Sequence, residues 1–222
     1  LAAQDDVREN RLIDLFNLER PENRTRHGVD AILKIDGHEL EFELKSVTTG
    51  KGGLTTVRDF GRDHIEKWRS KHWIVSFHSG NELTLCRYGS PEAMKPWIDE
   101  KWEYIRPDFE LSKLASERLT LEDMYAVIGR KDAYSLADAQ KLHKKQYTRA
   151  QYDEALGGEP HFSPERMLVI FKARLRYVVE RGSTLNNPHV PPAYLAQWPT
   201  ITSNYAEELR KLVRSWIAVN PT

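Results

Sequence analysis

The sequence predicts an α+β protein in which an early sheet is followed mostly by helices. Three observations carry that expectation. Alternating apolar and polar residues on both sides of Asp36-Gly37 mark a tight β-hairpin. A second alternating pair, His72 to Ser79 and Glu82 to Tyr88, is joined by Gly80-Asn81. Beyond Pro91 the apolar spacing becomes helical, punctuated by Gly and Pro.

The elements follow in order. Leu12, Leu15, Phe16 and Leu18 recur at near-helical spacing, which predicts a first helix over Val7 to Leu18, ending before Pro21. Val29 to Ile35 and His38 to Lys45 form the hairpin. Thr48 to Thr56 carries three glycines and reads as a loop. A helix is expected over Asp63 to Ser70. The strand at His72 to Ser79, with Trp73, Val75 and Phe77 on one face and Ile74 on the other, belongs well inside a sheet. Five helices are then expected: Pro91–Tyr104, Leu111–Ile128, Ser135–Leu156, Pro164–Arg181 and Ser203–Val219. Trp68, Trp73, Trp97 and Trp102 read as core.

Composition excludes several classes. No apolar run approaches the ~20 residues of a membrane span. One cysteine, Cys86, rules out a disulfide scaffold or Cys-rich zinc site and reads as a buried small hydrophobe. No amino-terminal secretory signal is evident, so a cytoplasmic location is expected. Net charge is zero, but residues 1–60 hold nine Lys/Arg against twelve Asp/Glu and residues 141–222 hold twelve against seven. A polyanion would therefore be gripped mainly by the last third. The same charges also suit a solvated helical surface.

The hairpin carries the chemistry. A two-residue Asp36-Gly37 turn sets Leu33 opposite Leu40, Ala31 opposite Phe42 and Val29 opposite Leu44 on a core-facing side. The other side pairs Lys34 with Glu39, Ile32 with Glu41 and Asp30 with Glu43, and Lys45 projects beside Glu43. Opposed side chains on antiparallel strands have Cβ atoms about 4.5–5.5 Å apart. Asp30 and Glu43 thus hold two carboxylates within reach of one cation. Oxygen donors without Cys or His favour Mg²⁺ first and Mn²⁺ next. Lys45 adds a positive charge that can orient water or stabilise a phosphate. Alternating charges on a strand are also common on the plain solvent side of a sheet.

Asp30, followed after a short hairpin by Glu43-Leu44-Lys45, resembles the core motif of the PD-(D/E)xK nucleases. The preceding amphipathic helix and the following loop, helix and strand are similar to that family's core over roughly residues 7–88. Val29 stands where the family often has proline. The resemblance implies a restriction-endonuclease-like core with a mixed sheet of about four or five strands flanked by helices. It implies a nuclease core over residues 1–105 and an added helical region over 106–222 for DNA recognition or dimerisation, either separate or part of the same domain. It further implies Asp30, Glu43 and the main-chain carbonyl of Leu44 as Mg²⁺ ligands, and Lys45 as the water-activating or charge-stabilising group. Many members place a Glu from the first helix at the metal, and Glu9 is the first candidate for that role, Glu19 the second.

The expected function is Mg²⁺-dependent hydrolysis of double-stranded DNA, with Mn²⁺ as substitute. A sequence-specific type II restriction enzyme acting as a homodimer on a palindrome is the leading form. A structure-directed nuclease and a non-catalytic DNA-binding module are the alternatives. Candidate DNA contacts are Thr48 and Lys51 in the glycine-rich loop; Lys144, Lys145 and Arg149, with Lys141; and Lys172, Arg174 and Arg176, with Arg181. The loop is not a nucleotide-binding P-loop, because Lys51 is followed by Gly52 and the glycine spacing differs, so no nucleotide cofactor is expected.

Overall fold

A computed structural model of the chain describes residues 4–21, 28–48, 50 and 53–220. Helix α1 (Gln4–Phe16) buries Leu12, Ile13 and Phe16. It stops short of the expected Leu18 because Asn17 turns left-handed, with φ 49°. Glu19 then runs extended and exchanges main-chain hydrogen bonds with Ile32.

Strands β1 (Ala31–Ile35) and β2 (His38–Thr48) form the expected hairpin in the expected register, from Ile35 opposite His38 to Ala31 opposite Phe42. Asp36 (φ 50°) and Gly37 (φ 84°) both take left-handed conformations, as a two-residue turn of this kind demands. The first strand begins at Ala31 rather than Val29, and the second runs past Lys45 to Thr48. Two residues of the expected loop form a short strand, β3 (Leu54–Thr55).

Helix α2 (Arg62–Trp68) buries Ile65 and Trp68 and leads into β4 (His72–Ser79), which lies parallel to β2. Parallel neighbours need a crossover, and the segment containing α2 supplies it. Strand β5 (Glu82–Gly89) returns antiparallel to β4 through Gly80.

The long helix α3 (Pro91–Arg118) corrects the expected break after Tyr104. Pro107 and Glu103 are both exposed, so the carbonyl left unpaired by proline faces water and the helix continues. The break falls instead at Thr120, whose side chain opens α4 (Leu121–Ile128) in a capping box with Asp123. The expected helix Ser135–Leu156 is likewise two helices, α5 (Leu136–Leu142) and α6 (Arg149–Leu156). Left-handed Lys144 and Lys145 interrupt it, with φ 54° and 56°, and Thr148 with Gln151 caps the second piece.

Helix α7 (Pro164–Gly182) is followed by β6 (His189–Val190), paired with β3, then by α8 (Pro192–Leu195), β7 (Thr200–Ile201) and α9 (Tyr205–Val219). The main sheet is mixed and five-stranded, in the order β1-β2-β4-β5-β7.

The chain divides into two compact units, residues 1–102 with 185–222, and residues 103–184. Residues 185–222, expected in the helical region, group with the sheet-bearing unit. Ile201, Leu209 and Val213 share a core with Leu12, Phe16, Leu33, Phe42 and Ile74. Elsewhere in this unit Trp68 meets Phe60 and Trp73, with ring centroids 5.3 and 4.8 Å apart. The second unit packs Met124, Tyr134, Ala139, Tyr152, Phe162, Met167 and Ile170 together. Among the described residues, no helix is long and apolar enough to cross a membrane.

Candidate active site

Hairpin register places the site. Asp30 lies one residue before β1, and its N–H donates to the Phe42 carbonyl over 3.3 Å, which keeps it alongside Glu43. Its Oδ2 accepts from the Leu44 main-chain N–H at 2.9 Å. Glu43 is only 2% exposed. Lys45 Nζ lies 2.7 Å from its Oε1, and Lys67 Nζ, from α2, lies 3.0 Å from its Oε2.

The electrostatics follow from this crowding. Burial pushes the Asp30 carboxyl above its ordinary value, and the Glu43 charge pushes it further, against Lys45 and the Leu44 N–H. Burial would also raise Glu43, but the ammonium groups of Lys45 and Lys67 outweigh it and hold that carboxyl low. For Lys45, burial works against the charge, and the carboxylates of Glu43 and Asp30 overcome it, so its ammonium is held more firmly than usual.

Glu9 on α1 also belongs to this neighbourhood, because its charge acts on both Asp30 and Lys45. Glu19 does not: it pairs with Lys34 at 2.6 Å on the exposed side of the hairpin. Leu44 keeps its side chain in the core while its main chain serves the site.

The donors fit a hard ion in one specific way. Two carboxylates meet from adjacent backbone segments, one of them carrying a charge that burial and its neighbour oppose. Among the described residues no group of three or more His, Cys, Asp or Glu side chains is placed to hold a metal. The protein therefore offers a partial oxygen shell. Mg²⁺ takes such shells, using one or two carboxylates and completing its octahedron with water or phosphate.

Sequence reasoning missed two contributors. Lys67 lies on an expected helix, but no local pattern distinguishes it from a surface lysine; only the parallel crossover brings it to Glu43. Ser76 on β4 donates to the Lys45 carbonyl at 3.2 Å and meets Ser46 Oγ at 2.9 Å and His78 Nε2 at 3.0 Å. This chain of small polar groups supports the strand that carries Lys45.

The expected DNA contacts separate into groups. Thr48 Oγ1 accepts from Arg8 at 3.2 Å, which ties the end of β2 to α1. Lys51 lies outside the described residues. Lys144, Lys145 and Arg149 are exposed in the 103–184 unit, and Arg149 pairs with Asp153 one turn on. The second cluster is largely occupied in packing. Lys172 donates to the Glu117 carbonyl at 3.3 Å, Arg176 to Ser116 Oγ at 2.6 Å, and Arg174 lies 5.5 Å over the Tyr177 ring. Trp68, Trp73 and Trp97 are core, and Cys86 is fully buried, its thiol pushed up to about 12 by burial.

No protein-family model matches this chain, and neither does any curated protein.

Proposed function

We propose that this chain is a Mg²⁺-dependent endonuclease that hydrolyses phosphodiester bonds of double-stranded DNA, and within that class a sequence-specific type II restriction enzyme acting as a homodimer. The observation that carries the reading is the Asp30–Glu43 convergence with the Lys45 ammonium 2.7 Å from Glu43. Lys45 and Lys67 offset part of the negative charge of Asp30, Glu43 and Glu9, and a divalent ion would complete the balance and attract a phosphate.

Asp30, Glu43 and the Leu44 main-chain carbonyl are the groups that would hold the ion, with Mn²⁺ as its substitute. When bound, the ion supplies Lewis-acid stabilisation of phosphoryl charge and lowers the pKa of a coordinated water. The chain's own residues do the rest. The Leu44 N–H fixes the orientation of Asp30, and burial keeps Glu43 in one position. Lys45 carries an ammonium, which has donors and no acceptor, so it stabilises charge on a phosphoryl oxygen or orients the attacking water. Glu9 adds a third negative charge from α1. The restriction-enzyme form is supported by chain size: the 82 residues between 103 and 184 have their own core and are more than phosphodiester chemistry requires.

Plasmid digestion in Mg²⁺, comparing the native chain with Glu43→Ala, tests the reading. Discrete linear fragments from the native chain and intact plasmid from the variant are expected. Cutting confined to branched or damaged DNA would replace the restriction assignment with a structure-directed nuclease. DNA binding without cleavage in either Mg²⁺ or Mn²⁺ would make the chain a binding module.

A further inference from the structure

Both oxygens of the buried Glu43 carboxylate face ammonium groups, Lys45 at 2.7 Å and Lys67 at 3.0 Å. The two lysines are held differently. Lys45 is a strand residue two positions from Glu43, its main chain fixed in the β2–β4 ladder and by the Ser76 hydroxyl. Lys67 reaches in from the last turn of α2, a separate element, with a side chain 21% exposed, much as that of Lys45 is at 20%. One lysine neutralises one carboxylate. Asp30 and Glu9 add further negative charge, and it acts on Lys45.

A buried carboxylate without a counter-charge is costly, so a site built around Asp30, Glu43 and Glu9 needs cations before any metal arrives. A fixed ammonium beside the ligand oxygens opposes the entry of a divalent ion, and at these separations inside a protein the repulsion is substantial. Lys45 and Glu43 share one strand, so that ion pair is local to β2, whereas Lys67 comes from a separate element. Lys67 can swing away by side-chain rotation alone.

We propose that Lys67 is a placeholder cation, which occupies Oε2 of Glu43 until a divalent ion binds and is then transferred to a phosphate of the bound DNA. The proposal rests on the nuclease reading above and assigns Lys67 a positioning role toward Glu43. It couples the two ligands. DNA that draws Lys67 onto its phosphate removes the charge opposing the metal, and by linkage the metal strengthens DNA binding by the same factor.

The test is calorimetric titration of the intact chain with Mn²⁺ alone, comparing native, Lys67→Ala, Lys67→Arg and Glu43→Ala proteins, followed by plasmid cleavage across a Mg²⁺ series. Lys67→Ala is expected to bind Mn²⁺ at least tenfold more tightly than the native chain, Lys67→Arg to resemble the native chain, and Glu43→Ala to lose binding. In cleavage, Lys67→Ala should reach half-maximal rate at lower Mg²⁺ and show a lower maximal rate. A purely structural lysine would shift Mn²⁺ affinity the other way or leave it unchanged. If Glu43→Ala abolishes Mn²⁺ binding while Lys67→Ala leaves it unchanged or weaker, the placeholder role is overturned and the nuclease reading stands. If neither the native chain nor Lys67→Ala binds Mn²⁺, the metal-dependent reading falls and this inference with it.

Discussion

The Leu44 main-chain N–H donates to Oδ2 of Asp30 over 2.9 Å, so the strand that carries Glu43 and Lys45 also orients the acid on the neighbouring segment. One backbone donor thereby links the register of a hairpin to the geometry of the proposed catalytic pair.

Lys45→Ala should lower the cleavage rate by about 10² to 10³, the range found when one preorganised electrostatic donor is removed, while DNA binding measured in Ca²⁺ is kept. Asp30→Asn should retain the Leu44 hydrogen bond and still lose cleavage, because the lost charge is what the ion needs. Single-turnover digestion beside a mobility-shift assay checks both.

Asp30 also sets a trade between activity and stability. Its folded-state pKa lies above the ordinary value, so the ionised form destabilises the fold at neutral pH. That destabilisation is present above the raised folded value and disappears as pH falls toward the ordinary 3.8. Asp30→Asn should therefore melt at a higher temperature than the native chain at pH 7, with the difference shrinking in acid. Thermal denaturation in EDTA across that range is the measurement.

His72 makes the opposite contribution. It is 1% exposed, bonded to Tyr88 at 2.8 Å, stacked on Phe42 and packed against Trp216, with Glu92 the nearby charge. Burial lowers its pKa from 6.5 to about 4, with Glu92 working weakly against that. The unfolded chain thus takes up a proton that the folded chain refuses, and stability falls as pH drops from 6.5 toward 4, by about 3 kcal/mol. His72→Phe should flatten this stretch of the denaturation profile, whatever offset the lost Tyr88 hydrogen bond causes at pH 8.

Lys144 and Lys145 are exposed and belong to a stretch, 141–151, with four cations and no carboxylate. Replacing both by alanine should reduce the salt dependence of DNA binding by about 0.9 in log–log slope for each phosphate that is no longer neutralised. Arg176→Ala should leave that slope unchanged and instead destabilise the fold by about 1 kcal/mol, since it strips a partner from the buried Ser116 hydroxyl. Fluorescence anisotropy over a salt series, with urea unfolding, separates the two.

The site was legible where the physics is local. Asp36-Gly37 fixes a two-residue turn, the turn fixes the register, and the register delivers Asp30, just beyond the ladder, to the Leu44 N–H next to Glu43. The choice between Glu9 and Glu19 was not local: it depended on where α1 stops, which a left-handed Asn17 decides. Lys67 was hidden because parallel pairing of β2 with β4 is a tertiary fact. The helix breaks at Thr120 and Thr148 carried capping boxes in the sequence, but the apolar periodicity running through them masked the signal. The return of residues 185–222 to the sheet had no sequence signature at all, since β7 is two residues long.

That return limits how far the molecule can be pared down. A fragment ending near residue 105 would contain every acid and lysine of the site. It would also uncover the apolar surface that Ile201, Leu209 and Val213 now share with Phe16, Leu33 and Ile74, and leave β5 as an open edge. Truncation there should give an aggregating polypeptide rather than a minimal enzyme, so a working miniature would have to splice the tail back onto the amino-terminal portion.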